Sequence, residues 1–163
     1  MKTTIYLLTA AMLLTAALAV PAAAQNLVPF KGSIQGHEVD TPLGGPPPTT
    51  LSVDGADEGI GAHVGKFSFT YQLTVNLANG TATGSAHLIS ANGDSLHTTI
   101  AGSSEPTATP GVASITEINT ITGGTGRFTG AQGSFTVERL INQATGFTSG
   151  SFHGSITPPG AAH

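Results

Sequence analysis

Two opposite charges stand in rows that are otherwise apolar. Ile115, Glu117 and Ile121 alternate along one candidate strand, and Phe135, Val137, Arg139 and Ile141 alternate along the next. Side chains on a strand switch faces with period two, so each charge shares a face with residues bound for the interior. A buried charge is tolerated only when it is paired and hydrogen-bonded. A pairing in which residue numbers sum to 256 sets Glu117 opposite Arg139. Two readings follow. Glu117 and Arg139 are the candidate ligand-binding residues if they form a polar anchor in an apolar cavity. Otherwise they are a structural pair, or a solvent-facing pair if the faces are reversed.

Other residue types that do chemistry are scattered. His37, His63, His87, His97 and His153 lie in the body of the chain without H-E-x-x-H, H-x-H or cysteine spacing. They read as isolated surface or rim histidines, and no metal site is expected. A three-residue loop at Ala91–Asn92–Gly93 sets His87 opposite His97, whereas a two-residue loop puts them on opposite faces. Asp54, Asp57 and Glu58 fall in a Gly-rich stretch without EF-hand spacing and read as a solvated acidic loop. Gly124-Thr125-Gly126 is followed next by Gly130, so the dinucleotide fingerprint fails on spacing, and no helix follows it. Neither a Walker A motif nor a G-x-S-x-G elbow occurs. The sequon Asn79-Gly80-Thr81 is already explained as a turn. No catalytic residue and no cofactor are assigned.

These residues must be positioned by strands. Phe67, Phe69, Tyr71, Leu73, Val75 and Leu77 alternate with polar residues, which is the signature of a strand with one buried face. Strands are predicted over 28–38, 49–54, 63–77, 81–90, 94–102, 112–122, 134–142 and 147–157. Ala78-Asn79-Gly80, Ala91-Asn92-Gly93 and Ala144-Thr145-Gly146 each end in glycine and fit short hairpins. The chain is therefore an antiparallel meander. The breaker-rich stretches 41–48 and 103–111 read as longer rim loops. Phe30-Lys31-Gly32-Ser33-Ile34 is echoed by Phe152-His153-Gly154-Ser155-Ile156. Pairing of the two would close the sheet and remove its edges. The expected fold is a single all-β domain, an eight-stranded antiparallel barrel. The alternative is a two-sheet sandwich, which has the same local signals.

The densest local signal lies in Ile121–Phe135, with Gly123, Gly124, Thr125, Gly126, Phe128 and Gly130 at its centre. Five glycines fall within eleven residues there, which is incompatible with a helix and fits a tight loop between two strands. The pattern Gly-Gly-Thr-Gly-x-Phe-x-Gly-Ala-x-Gly resembles the signature loop of the dirigent and allene oxide cyclase families, and within that set it is most similar to small exported bacterial proteins. The resemblance implies a small β-barrel and raises a cofactor-free cyclase or isomerase as a reading. No catalytic residue of those families is carried over outside the loop.

Lys2, the apolar run 5–20 and Pro21-Ala22-Ala23-Ala24 have the form of a secretory signal cleaved before Gln25. Residues 1–24 are then a signal peptide and 25–163 the barrel domain, exported to the periplasm or medium, with no membrane span after cleavage. Five basic residues stand against nine acidic ones, and Lys2 leaves with the leader. So few dispersed cations cannot neutralise a phosphate backbone, which argues against nucleic-acid binding. With no cysteine in the chain, stability rests on the core rather than on disulfides. Three roles remain open: a binding or scaffold protein for a small, mostly apolar ligand in the lumen, a cofactor-free enzyme, or a packed structural protein of the envelope. The residues favour the first. Oligomeric state is not readable.

Overall fold

The computed structural model describes residues 26–161. The expected leader, 1–24, lies outside them. Eight strands follow one another: β1 (Val28–Leu43), β2 (Thr50–Gly61), β3 (Gly65–Asn76), β4 (Thr81–Ser90), β5 (Ser95–Pro106), β6 (Val112–Gly124), β7 (Gly133–Asn142) and β8 (Phe147–Ile156). Each pairs antiparallel with the next, and β8 returns to β1, so the sheet is a closed barrel. The sandwich alternative is excluded. Closure runs through the predicted echo, with Phe30 opposite Gly154 and Gly32 opposite Phe152.

Several strands outrun their predicted limits. β1 continues to Leu43 and β5 to Pro106, which shortens the rim loops expected at 41–48 and 103–111, β6 continues to Gly124, and β2 continues through the acidic stretch to Gly61. Glycines and carboxylates suggested a loop there, but the glycines have a packing role. Gly55 lies opposite Tyr71 and Gly59 opposite Phe67, and each aromatic ring occupies the space a Cβ would need. Glycine inside a strand commonly marks such a close approach.

The alternation of strand residues sorts the interior along the barrel. Towards one end lies an aromatic cluster. Phe152 sits 5.0 Å from Phe30, 5.5 Å from Phe135 and 5.8 Å from Phe67, measured between ring centroids. The connection from β6 to β7 at that end contains a short 3-10 turn, Gly126–Phe128, whose Phe128 is fully buried in the same core. At the other end, where β1 meets β2 and β7 meets β8, the lumen is lined by aliphatic side chains. Between the two lies a layer of charged and polar groups.

Candidate functional site: a charged layer across the barrel lumen

Arg139 on β7 is the centre of the layer. Its Nη2 donates to Glu117 Oε1 at 2.9 Å and its Nε to Glu117 Oε2 at 3.2 Å, a two-point contact. Its Nη1 donates to Glu38 Oε2 at 2.6 Å and to Thr148 Oγ1 at 3.0 Å. Four of the five guanidinium N–H groups are thereby engaged. The side chains are withdrawn from water, with relative exposures of 2% for Arg139, 2% for Glu117 and 7% for Glu38. The predicted pair is therefore present and faces the lumen. Its register differs from the expected one: Glu117 lies opposite Val137, and Arg139 opposite Ile115. The residue sum is set by the long loop before β7, and the length of the arginine side chain spans the resulting diagonal.

Tyr71 completes the network. Its hydroxyl donates to the same Glu38 Oε2 at 2.9 Å, and Arg139 Cζ stands 4.9 Å from its ring centroid. Stacking of a guanidinium on an aromatic face is favourable, more so when both are desolvated. Burial works against the charge on Arg139, but Glu117, Tyr71 and Glu38 outweigh it and raise its pKa, so it remains a cation. Burial also raises the pKa of the Tyr71 hydroxyl, which stays protonated as a donor.

Glycines make room for this layer. Asp57, Tyr71, Glu117 and Arg139 have Gly36, Gly55, Gly102 and Gly150 as cross-strand partners. A Cβ at Gly102 would stand 2.7 Å from Glu117 Cγ, and one at Gly150 would stand 2.7 Å from Arg139 Cβ. On that side of each residue the glycine leaves room for the polar side chain to lie along the wall.

Asp57 corrects the reading of a solvated acidic loop. Asp54 and Glu58 do face outward, but Asp57 between them points into the barrel and is 2% exposed. Neither of its carboxyl oxygens has a hydrogen-bond partner among the described residues. Burial pushes its pKa up to about 7. Arg139 opposes that shift, while Glu38 and Glu117 add to it. Asp57 is thus a buried lumen acid whose neutral form the fold favours. Asn119 is also fully buried, with its Oδ1 accepting from Thr98 Oγ1 at 2.8 Å.

Above the charged layer the lumen opens into a cavity of about 70 Å³. Its walls include Leu51, Val53, Leu73, Val75, Ile115 and Ile141, with Glu38, Glu117 and Arg139 at its base and Asp40 beside them. Burial and the neighbouring Glu38 raise the pKa of Asp40. Because Arg139 is largely engaged, the hydrogen-bonding capacity left at the base is mainly that of acceptors.

The glycine loop is placed at the opposite end and does not reach this site. Thr125 accepts from Ser95 N at 3.1 Å through its hydroxyl. Arg127 Nε lies 3.2 Å from Asp94 Oδ2, an ion-pair distance off the line of a hydrogen bond. Gly126 has φ 57°, and an Asp94 carboxylate oxygen occupies the place of a Cβ. Gly123, Gly124 and Gly130 belong to the same turn region, with Gly124 packed against Phe128. The loop thus ties the β4–β5 hairpin to the barrel end. His37, His63, His97 and His153 lie on exposed positions, with His87 half-buried. Glu38 and Thr148 were not singled out from the sequence, Tyr71 was read only as a residue of a buried row, and Asp57 only as part of a solvated loop. Glu38 nonetheless has a signal there, since it follows Phe30, Ile34 and Gly36 in the inward row. No protein-family model, curated protein or solved structure matches this chain.

Proposed function

We propose that this is an exported binding protein that takes a small, mostly apolar molecule into the mouth of the barrel. The observation that carries this reading is the pairing of aliphatic walls with an acceptor-rich base, Glu38 and Glu117 held by Arg139. Apolar pockets with a few convergent polar groups are the usual form of small-molecule sites. The cavity is small, so the bound portion has only a few heavy atoms and carries a hydrogen-bond donor, a hydroxyl or an amine. A larger ligand would extend into solvent. The glycine-loop likeness to dirigent and allene oxide cyclase-like barrels fits a lumen that serves small molecules.

The test is mass spectrometry of small molecules released from protein purified from its native host without denaturation. A stoichiometric, mostly apolar compound with a donor group supports the reading. Protein free of any such compound, which also fails to acquire one from a host extract, refutes it.

Asp57 favours a second reading, a cofactor-free cyclase or isomerase. A lumen-facing carboxyl that has no hydrogen-bond partner among the described residues, and whose pKa burial raises to about 7, is suited to general acid or base work, although Asp57 does not itself line the cavity. Turnover of the released compound by the wild type, lost in Asp57→Asn with binding retained, would establish it over simple binding.

A further inference from the structure

A separate constellation lies on the outer wall. β4 and β5 set His87 directly opposite His97. Their rings stack, with centroids 4.4 Å apart and planes 10° from parallel. The residues flanking them, Ala86, Leu88, Leu96 and Thr98, are buried, so both imidazoles project outward. His87 Nε2 is shielded from solvent and has no hydrogen-bond partner among the described residues. A shielded polar atom without a partner is costly and calls for an explanation.

The pair lies in a shallow trench whose walls include Asp54, Gln72, Ser85 and Thr99. Its two flanking threonines hold the backbone of the pair. Thr122 donates to the His97 carbonyl at 3.1 Å, and Thr70 donates to the His87 carbonyl at 3.4 Å. The β5–β6 ladder slips between His97 and Thr98, leaving Thr122 as the extra residue of a bulge. Bulges re-aim side chains and occur often beside functional sites. Burial and the neighbouring His97 lower the pKa of His87.

We propose that His87 and His97 form a bidentate site for a divalent late transition-metal ion, Cu(II) before Zn(II), on the outer wall of the barrel. Neutral imidazole suits these ions, and Cu(II) heads the affinity order for nitrogen ligands. Metal–nitrogen bonds of about 2.0–2.1 Å place two adjacent ligand nitrogens about 3 Å apart. The stacked rings must turn about their side-chain bonds to bring one nitrogen of each to that spacing and out of the parallel arrangement. Water completes the coordination, because among the described residues no group of three or more His, Cys, Asp or Glu is placed to hold a metal ion. A site with two protein ligands binds reversibly, as suits a surface that captures or relays metal rather than one built around it.

The test is titration of the untagged chain with Cu(II) alone, read by calorimetry and by electron paramagnetic resonance, with EDTA reversal. One reversible equivalent, with two equatorial nitrogens, is expected. His87→Gln and His97→Gln should each weaken binding by about tenfold or more, since loss of a mere outer-sphere partner already costs that much. His37→Gln and His153→Gln should leave it unchanged. Wild-type affinity in His97→Gln, with its folding verified by circular dichroism, would overturn the site, as would a signal from a single nitrogen or one that depends on His37 or His153.

Discussion

Tyr71 donates its hydroxyl hydrogen to Glu38 Oε2 at 2.9 Å, the same oxygen that accepts from Arg139 Nη1 at 2.6 Å. One carboxylate oxygen therefore joins β1, β3 and β7 across the lumen, and the two-point contact of Arg139 with Glu117 adds β6. The four side chains act as one unit, so the loss of any one leaves its partners unsatisfied in a place water hardly reaches.

Arg139→Met should be the most damaging single change in the lumen. It strands Glu117 and Glu38, and removing one partner of a buried pair costs about 3–5 kcal/mol. Glu117→Gln combined with Arg139→Met should recover part of that loss. Urea denaturation of the wild type, both single variants and the double variant gives the coupling. Single-variant losses below about 1 kcal/mol would be those of a solvent-exposed pair and would contradict the buried geometry.

Asp57 makes stability depend on pH. Its folded-state pKa is raised from 3.8 to about 7. The fold prefers the neutral form, so the contribution of Asp57 is fully present below about pH 4 and is lost as pH rises through about 7. Asp57→Asn should therefore gain on the wild type between those limits, by a few kcal/mol at pH 8, and show no gain near pH 4. Denaturation midpoints of the two proteins across that range check this. A constant difference at every pH would mean that Asp57 titrates alike in the folded and unfolded states.

Gly55→Ala tests the glycine cradle. Its Cβ would enter the ring of Tyr71, and overpacking of this kind costs about 1–3 kcal/mol. The ring must move, and its hydrogen bond to Glu38 with it. A thermal melt of Gly55→Ala matching the wild type would show that Tyr71 does not lie against this wall.

His63, in the turn between β2 and β3, has φ 64°. The left-handed conformation costs a residue with a Cβ about 1–2 kcal/mol relative to glycine. His63→Gly should thus raise stability by about 1 kcal/mol, offset in part by a more flexible unfolded chain, whereas His63→Val should lower it. Melting temperatures of the two variants decide, and a gain for valine would contradict the turn geometry.

Strand order and closure were legible because period-two rows and the echo of Phe30–Ile34 in Phe152–Ile156 are local patterns. The inward direction of Glu117 and Arg139 was legible for the same reason. Their register was not, since it depends on how the loop from Thr125 to Gln132 folds. Asp57 was misread because Gly55 and Gly59 have the appearance of loop residues until Tyr71 and Phe67 are set across from them. The stacking of His87 on His97 required the length of the β4–β5 connection, which left both faces open in the sequence.

The most direct test of the binding account is a methyl-resolved NMR titration with three probes that share one branched four-carbon skeleton: isobutylamine, isobutanol and isobutyrate. The acceptor-rich base predicts that the amine and the alcohol shift the methyl signals of Val53, Leu73, Ile115 and Ile141, that isobutyrate does not, and that Ala82→Phe, which narrows the mouth, abolishes the shifts. Equal or stronger shifts with isobutyrate, or none at those methyls with any probe, would contradict it.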